Sequence, residues 1–287
     1  MALCFGRPSR HVSCARVARM KGLDNSELKI IGTLERTFSL LKRDPILIAL
    51  FVLPALFPIE RILANFLAYY LVSSIVGKAG EPPSMPPVPF VTLYLIVGFF
   101  LGAWAWAAAI LKVRELEQGS KLGLREALSK GLKRVPRLLV PAITGLALYT
   151  LMIASLTTAV MPYLVIGESA LAQDVRPSVI ALQVAIGFLF VAGLYAATRL
   201  RLAAPACVSE DNFGLATSWK LVRGNWWKLF AILLILGVMS ALIGRIPVLG
   251  AFLPGLLVEP ITITAMTLVY CQLRETKSSQ EEPRESV

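Results

Sequence analysis

Histidine is almost missing from these 287 residues: there is one, His11. That removes His-ligated metal sites, His-containing triads and HExxH zinc chemistry together. Cysteine is scarce too. Cys4, Cys14, Cys207 and Cys271 form no CxxC pair and no evenly spaced framework, which argues against a zinc cage or a disulfide scaffold. Charge is the third shortage, at 16% of residues against about a quarter in soluble domains. No GxGxxG, GxxxxGK[ST] or GxSxG motif and no NxS/T sequon occurs, so nothing implies a cofactor or a nucleophile elbow. An ordinary water-soluble enzyme is disfavoured on these grounds.

Apolar residues fill the space instead, at 56% of the chain and a mean hydropathy of +0.69. A bilayer core of about 30 Å needs about 20 helical residues. Candidate spans are 45–76, 89–111, 138–167, 179–198, 229–251 and 252–273. The first is over-long, and Glu60-Arg61 stands near its midpoint. Two pieces of about 15 residues would each be too short to cross, so one helix kinked near Pro54 and Pro58 is expected. The stretch from Arg245 to Gly250 reads as a tight turn.

Lys and Arg number nine in residues 1–44, eight in 112–137, five in 199–228 and three in 272–287. The opposite side holds Lys78, Arg176 and Arg245, with Arg61 inside the first run. This positive-inside imbalance places both termini in the cytoplasm, with the spans in the cell membrane. Residues 1–26 read as a disordered basic N-terminus, with Met20 as an alternative start. Residues 27–273 form one six-span membrane domain, and residues 274–287 a disordered tail.

Each odd-numbered span follows an amphipathic basic stretch. The first has Leu28, Ile31, Leu34, Phe38 and Leu41 on one face, with Lys29, Arg36, Lys42 and Arg43 elsewhere. The second has Leu124, Leu128, Leu132, Val135 and Leu139, with Arg125, Lys130, Lys133, Arg134 and Arg137. The third has Leu215, Trp219, Val222 and Trp226, with Lys220, Arg223 and Lys228. Steps of three and four make one helical stripe each time. Boundaries recur at Arg43-Asp-Pro, Arg134-Val-Pro and Arg223-Gly-Asn. The reading is an all-α polytopic protein of about six transmembrane helices in three hairpins, each preceded by a basic interfacial helix. Its repeats cover about 27–117, 118–208 and 209–275.

An apolar face would sink about 5–10 Å into the headgroup boundary while the basic face stays wet. Lys130, Lys133, Arg134, Arg137, Lys220 and Arg223, with Trp219 and Trp226 at belt depth, are candidate contacts to anionic phospholipid headgroups of the cytoplasmic leaflet. Seating the bundle is the plainer role for the same residues. The net charge of +11 does not indicate nucleic acid, because the basic residues hug membrane ends rather than forming a domain.

Residues 205–227 read PACVSEDNFGLATSWKLVRGNWW, and the sixth span closes in TLVYCQLRE. With the opening Leu41-Lys-Arg-Asp-Pro45, these resemble the membrane domain of glycerophosphoryl diester phosphodiesterases. The matching positions are Pro205, Glu210, Gly214, Ser218, Trp219, Arg223 and Trp227, with Tyr270 and Arg274 as a Tyr-x-x-x-Arg ending. The resemblance covers roughly residues 30–276 and is specific only at 205–227. It implies association with phospholipid. It does not carry over hydrolysis, because that family's separate catalytic barrel uses histidines and metal-binding carboxylates, and the only histidine here is His11.

Ionisable groups inside spans are costly and become functional candidates. Glu259, before Pro260, and Glu60-Arg61 could pair with one another or with Arg245 as a pin, or Glu259 could bind a proton or ligand. The sequence thus carries two expectations. One is a non-enzymatic membrane protein associated with phospholipid. The other is a small-solute or ion transporter using Glu259 and Glu60-Arg61, although three same-orientation hairpins fit the two inverted repeats of transporters poorly.

Overall fold

A computed structural model describes residues 29–57, 88–120, 122–171, 177–210, 213–246, 250 and 252–281. Helix is the regular structure of the described residues, and no strand occurs among them. The order is α1 (Ile30–Arg43), α2 (Ile46–Ala49), α3 (Val52–Ala55), α4 (Val88–Glu117), α5 (Leu124–Leu132) and α6 (Val135–Leu171), then α7 (Pro177–Leu200), α8 (Ala203–Ser209), α9 (Leu215–Val222), α10 (Trp226–Gly244), a π turn at Pro254–Val258, and α11 (Glu259–Glu281).

Five stretches are long and apolar enough to cross a membrane: Thr92–Glu117, Val135–Leu156, Ala181–Ser209, Trp226–Gly244 and Pro254–Lys277. They correspond to the second to sixth expected spans. The first expected span is different. Its described part, 46–57, is two four-residue helices, α2 and α3, where a kinked continuous helix was expected. Pro45 and Pro54 cannot donate to an α-helical ladder, and bonds such as Leu47 N–H to Asp44 O and Phe57 N–H to Pro54 O close tighter turns. This segment still runs alongside α4. Asp44 meets Lys112 near one end of α4, and the Leu56 carbonyl accepts from the Tyr94 hydroxyl near the other.

The three expected boundaries are all helix breaks: α1 ends at Arg43, α5 gives way to α6 across Lys133 and Arg134, and α9 to α10 across Arg223 to Asn225. Each apolar stripe, expected to face outward into the headgroup boundary, divides between the outer and the inner face. On α1 the buried residues are Thr33, Thr37, Leu40 and Leu41, while Ile31 is 73% and Phe38 47% exposed. On α5 Ala127 and Gly131 are buried, and Leu124 and Leu132 point outward. On α9 Ser218, Leu221 and Val222 are buried, and Trp219 is exposed. Small residues on the inner face let backbones approach closely. A Cβ on Gly131 would lie 2.9 Å from the Ala108 backbone nitrogen of α4. Thr33 and Thr37 satisfy their hydroxyls on the Lys29 and Thr33 carbonyls one turn back.

The core lies around α4 and α11. In its most apolar 18-residue window α11, with the π turn, is 67% buried, against 11% for α6 and for α7. Pro260 explains the π turn: it offers no N–H, and its ring pushes away the carbonyl four residues back. Ala103 and Ala107, one turn apart on α4, are buried, with Ala108, Ala109 and Ile110 beside them. Short α8 was not anticipated. Ala203 to Val208 are all buried against α4, α6 and α11.

Candidate functional site

The polar residues converge on one end of the bundle, where α4, α7 and α11 finish and where the three breaks lie. Three arrangements are built there.

The first gathers residues that stood 60 positions apart in sequence. Glu210 ends α8, and Gly214 starts α9 with φ +68°. The Thr217 hydroxyl donates to Glu210 Oε2 at 3.0 Å, and the Tyr270 hydroxyl donates to Glu210 Oε1 at 2.8 Å. Arg274 Nη1 donates to the Tyr270 oxygen at 3.0 Å and lies 3.5 Å from Glu210 Oε1. Ser218 donates to the Arg199 carbonyl, and Cys207 Sγ to the Arg137 carbonyl at 3.1 Å. Pro205 is buried in α8, and these bonds tie the corner to α6, α7 and α11 at once. A carboxylate held by two hydroxyls beside a guanidinium is a lock on the corner rather than a nucleophile.

The second is aromatic. Tyr195 and Trp219 stand edge to face at 6.1 Å, Tyr195 lies 5.3 Å from Trp226, and Trp226 stacks on Phe230 at 5.2 Å. Trp227 packs on Trp226 at 4.4 Å and is otherwise exposed. The Arg199 guanidinium sits 4.7 Å from the Tyr195 ring centre and 4.5 Å from that of Trp219. Its Nε is buried and makes no hydrogen bond among the described residues.

The third is a buried lysine. Lys112 of α4 is 2% exposed, pairs with Asp44 at 2.8 Å and donates to the Leu122 carbonyl at 2.7 Å. Arg36 of α1 pairs with Glu117 at the end of α4.

The basic candidates take outward positions at this same end. Lys130, Lys133, Lys220 and Arg223 are exposed, and Arg134 and Arg137 half-buried. The Glu126 carboxylate, hydrogen-bonded one turn away, raises the Lys130 pKa. Glu259 is half-buried in the first turn of α11, and Arg245 is exposed at the end of α10. Glu60 and Arg61 lie outside the described residues. Among the described residues no three His, Cys, Asp or Glu side chains group as a metal site.

Sequence reasoning missed Lys112, Asp44, Tyr195 and Arg199. The signal for the last two was available: Tyr195-x-x-x-Arg199 closes α7 with the same spacing as Tyr270-x-x-x-Arg274 in α11, and each arginine lies over its tyrosine.

A family model described as "Domain of unknown function (DUF7847)" matches residues 28–274, and the chain belongs to that family. Comparison with curated proteins and with solved structures finds no match.

Proposed function

We propose that this DUF7847 member is a non-enzymatic integral membrane protein associated with phospholipid, with both termini cytoplasmic and α1, α5 and α9 seated on the anionic inner leaflet. The observation that carries this reading is common to all three helices. Each leaves large apolar side chains outward, Ile31 and Phe38, Leu124 and Leu132, and Trp219, beside exposed lysines and arginines. Apolar side chains at headgroup depth flanked by cations suit an anionic interface, where each Lys or Arg contributes about 1 kcal/mol. The likeness to the glycerophosphoryl diester phosphodiesterase membrane domain supports the same assignment through Glu210, Gly214, Tyr270 and Arg274, the residues that build the corner lock. Transport through Glu259 is the weaker reading, since Arg245 at the same end of the bundle is exposed.

Tryptophan fluorescence in reconstituted bilayers tests the lipid reading. Brominated phosphatidylglycerol is expected to quench more strongly than brominated phosphatidylcholine. High salt should shrink the difference, and so should Lys130→Glu with Lys133→Glu and Lys220→Glu. Equal quenching by the two lipids would sink it. Orientation is tested separately with an impermeant thiol reagent. Ile246→Cys should react from outside intact cells and Ser120→Cys only after permeabilisation; the reverse pattern would invert the topology.

A further inference from the structure

The two Tyr-x-x-x-Arg endings are alike in spacing and unlike in what they do. Arg274 has Glu210 to neutralise it. Arg199 has no carboxylate among the described residues; its contacts are the faces of Tyr195 and Trp219, and its Nε is buried without a hydrogen bond. A guanidinium partly withdrawn from water gains little from ring faces alone compared with a charge-assisted bond to an oxyanion. Stacking also fixes the plane of the group and leaves its edge for two parallel N–H bonds, the geometry that suits a phosphate.

The surface leading away from Arg199 is apolar and uncovered. Val184, Phe188, Val191, Tyr195 and Arg199 follow one another at steps of four, three, four and four, so they share a face of α7. Val184, Phe188 and Val191 are 53%, 73% and 61% exposed. From Val184 to Arg199 this face is about 22 Å long, enough for the roughly 15 Å that one leaflet contributes to the hydrocarbon core. The neighbouring α10 supplies a second wall. Trp226 touches Tyr195, and Phe230, Leu234 and Gly237 continue down the same side of the helix. A Cβ on Gly237 would meet nothing within 4 Å. Arg201, Lys220 and Arg223 are exposed close by in sequence and add positive potential at this end.

We infer that the α7–α10 face binds one anionic phospholipid of the inner leaflet, its phosphate on the Arg199 guanidinium between Tyr195 and Trp219 and an acyl chain along Val191, Phe188 and Val184. This deepens the lipid association proposed above and rests on it: beyond a general interfacial preference, it names one site and one headgroup charge.

The full-length protein, purified in a mild detergent with phosphatidylglycerol and phosphatidylcholine supplied together, is examined by native mass spectrometry and by thermal unfolding. Wild type should retain a single phosphatidylglycerol and melt at a higher temperature with it than with phosphatidylcholine. Arg199→Gln should lower phosphatidylglycerol retention by about tenfold or more, and Arg199→Lys by less, since it keeps the charge but loses the planar fork. Gly237→Phe, at an open position that does not touch the headgroup site, should lower retention by blocking the acyl path even if the arginine variants fold poorly. Retention unchanged in Arg199→Gln overturns the site, and so does retention unchanged in Gly237→Phe. So does stabilisation by glycerol 3-phosphate alone equal to that by phosphatidylglycerol, which would mean a free phosphate and no lipid. If the quenching preference for phosphatidylglycerol holds while Arg199→Gln keeps its lipid, this site alone fails; if the preference itself is absent, the broader reading has failed first.

Discussion

Gly214→Ala is expected to destabilise the protein by more than about 4 kcal/mol, a size reserved for backbone or core disruption. Two effects add. The residue stands at φ +68°, where a side chain is strained by about 1–2 kcal/mol. The new methyl would also fall 2.4 Å from the Ala203 carbonyl oxygen and 2.6 Å from the Cys207 nitrogen, both backbone atoms of buried α8, which cannot swing aside as a long side chain could. The start of α9 must then lift off α8, carrying Thr217 away from Glu210 and Ser218 away from the Arg199 carbonyl. Gly119→Ala supplies the comparison, because Gly119 has a similar φ of +78° but open space around its Cβ. It should cost only the strain. Melting of both variants in detergent decides the matter: a Gly214→Ala loss no larger than that of Gly119→Ala would mean the close approach is absent.

Lys112→Met is the second large effect, about 3–5 kcal/mol, the usual result of removing one partner from a buried pair. Asp44 is left facing an apolar side chain, and the Leu122 carbonyl loses its donor. Because Asp44 Oδ1 also accepts from the Ile46 N–H, Asp44→Asn preserves that turn while removing the charge. The double variant should therefore recover part of the loss, with a coupling of about 1–3 kcal/mol in a double-mutant cycle. A cycle with no coupling would show that the two residues act separately.

The lengths of the later spans, the three helix breaks and the crowding of basic residues at one end could all be read along the chain, since each depends on local hydropathy, Pro and Gly positions, and charge. Part of each stripe on α1, α5 and α9 does face outward, the side that an interfacial apolar face would take: Ile31, Phe38, Leu124 and Trp219 are exposed. The pattern could not show that Leu41 and Val222 of the same stripes turn inward, beside Thr37, Gly131 and Ser218. Lys112 looked like one more charge after a span, and only the position of Asp44 across from it turns it into a buried pair. Glu210, Tyr270 and Arg274 were each legible as distinctive residues. That they meet depends on α8, whose run of small residues gave too weak a pattern to register as a helix. The first span divides differently: Pro45 and Pro54 were visible as interruptions, but their combined effect is two short helices closed by tight-turn bonds in place of a kink.

The central position of α11 bears on assembly during synthesis. Every other described helix precedes it in the chain, and α1, α4, α8 and α9 all pack against it. A ribosome adding about 5–20 residues per second delivers α4 and its basic-end partners well before the helix they surround. Until residues 259–274 are made, Glu210 lacks both Tyr270 and Arg274, and α1, α4, α8 and α9 each lack the helix they share, although α5, α6 and α8 can already pack on α4. The earlier helices can enter the bilayer singly or in pairs, as two-stage folding allows, but the bundle can close only when α11 arrives. Arrest of translation just before Glu259 therefore leaves inserted helices with only the α4 half of their core, a ready target for membrane quality-control proteolysis.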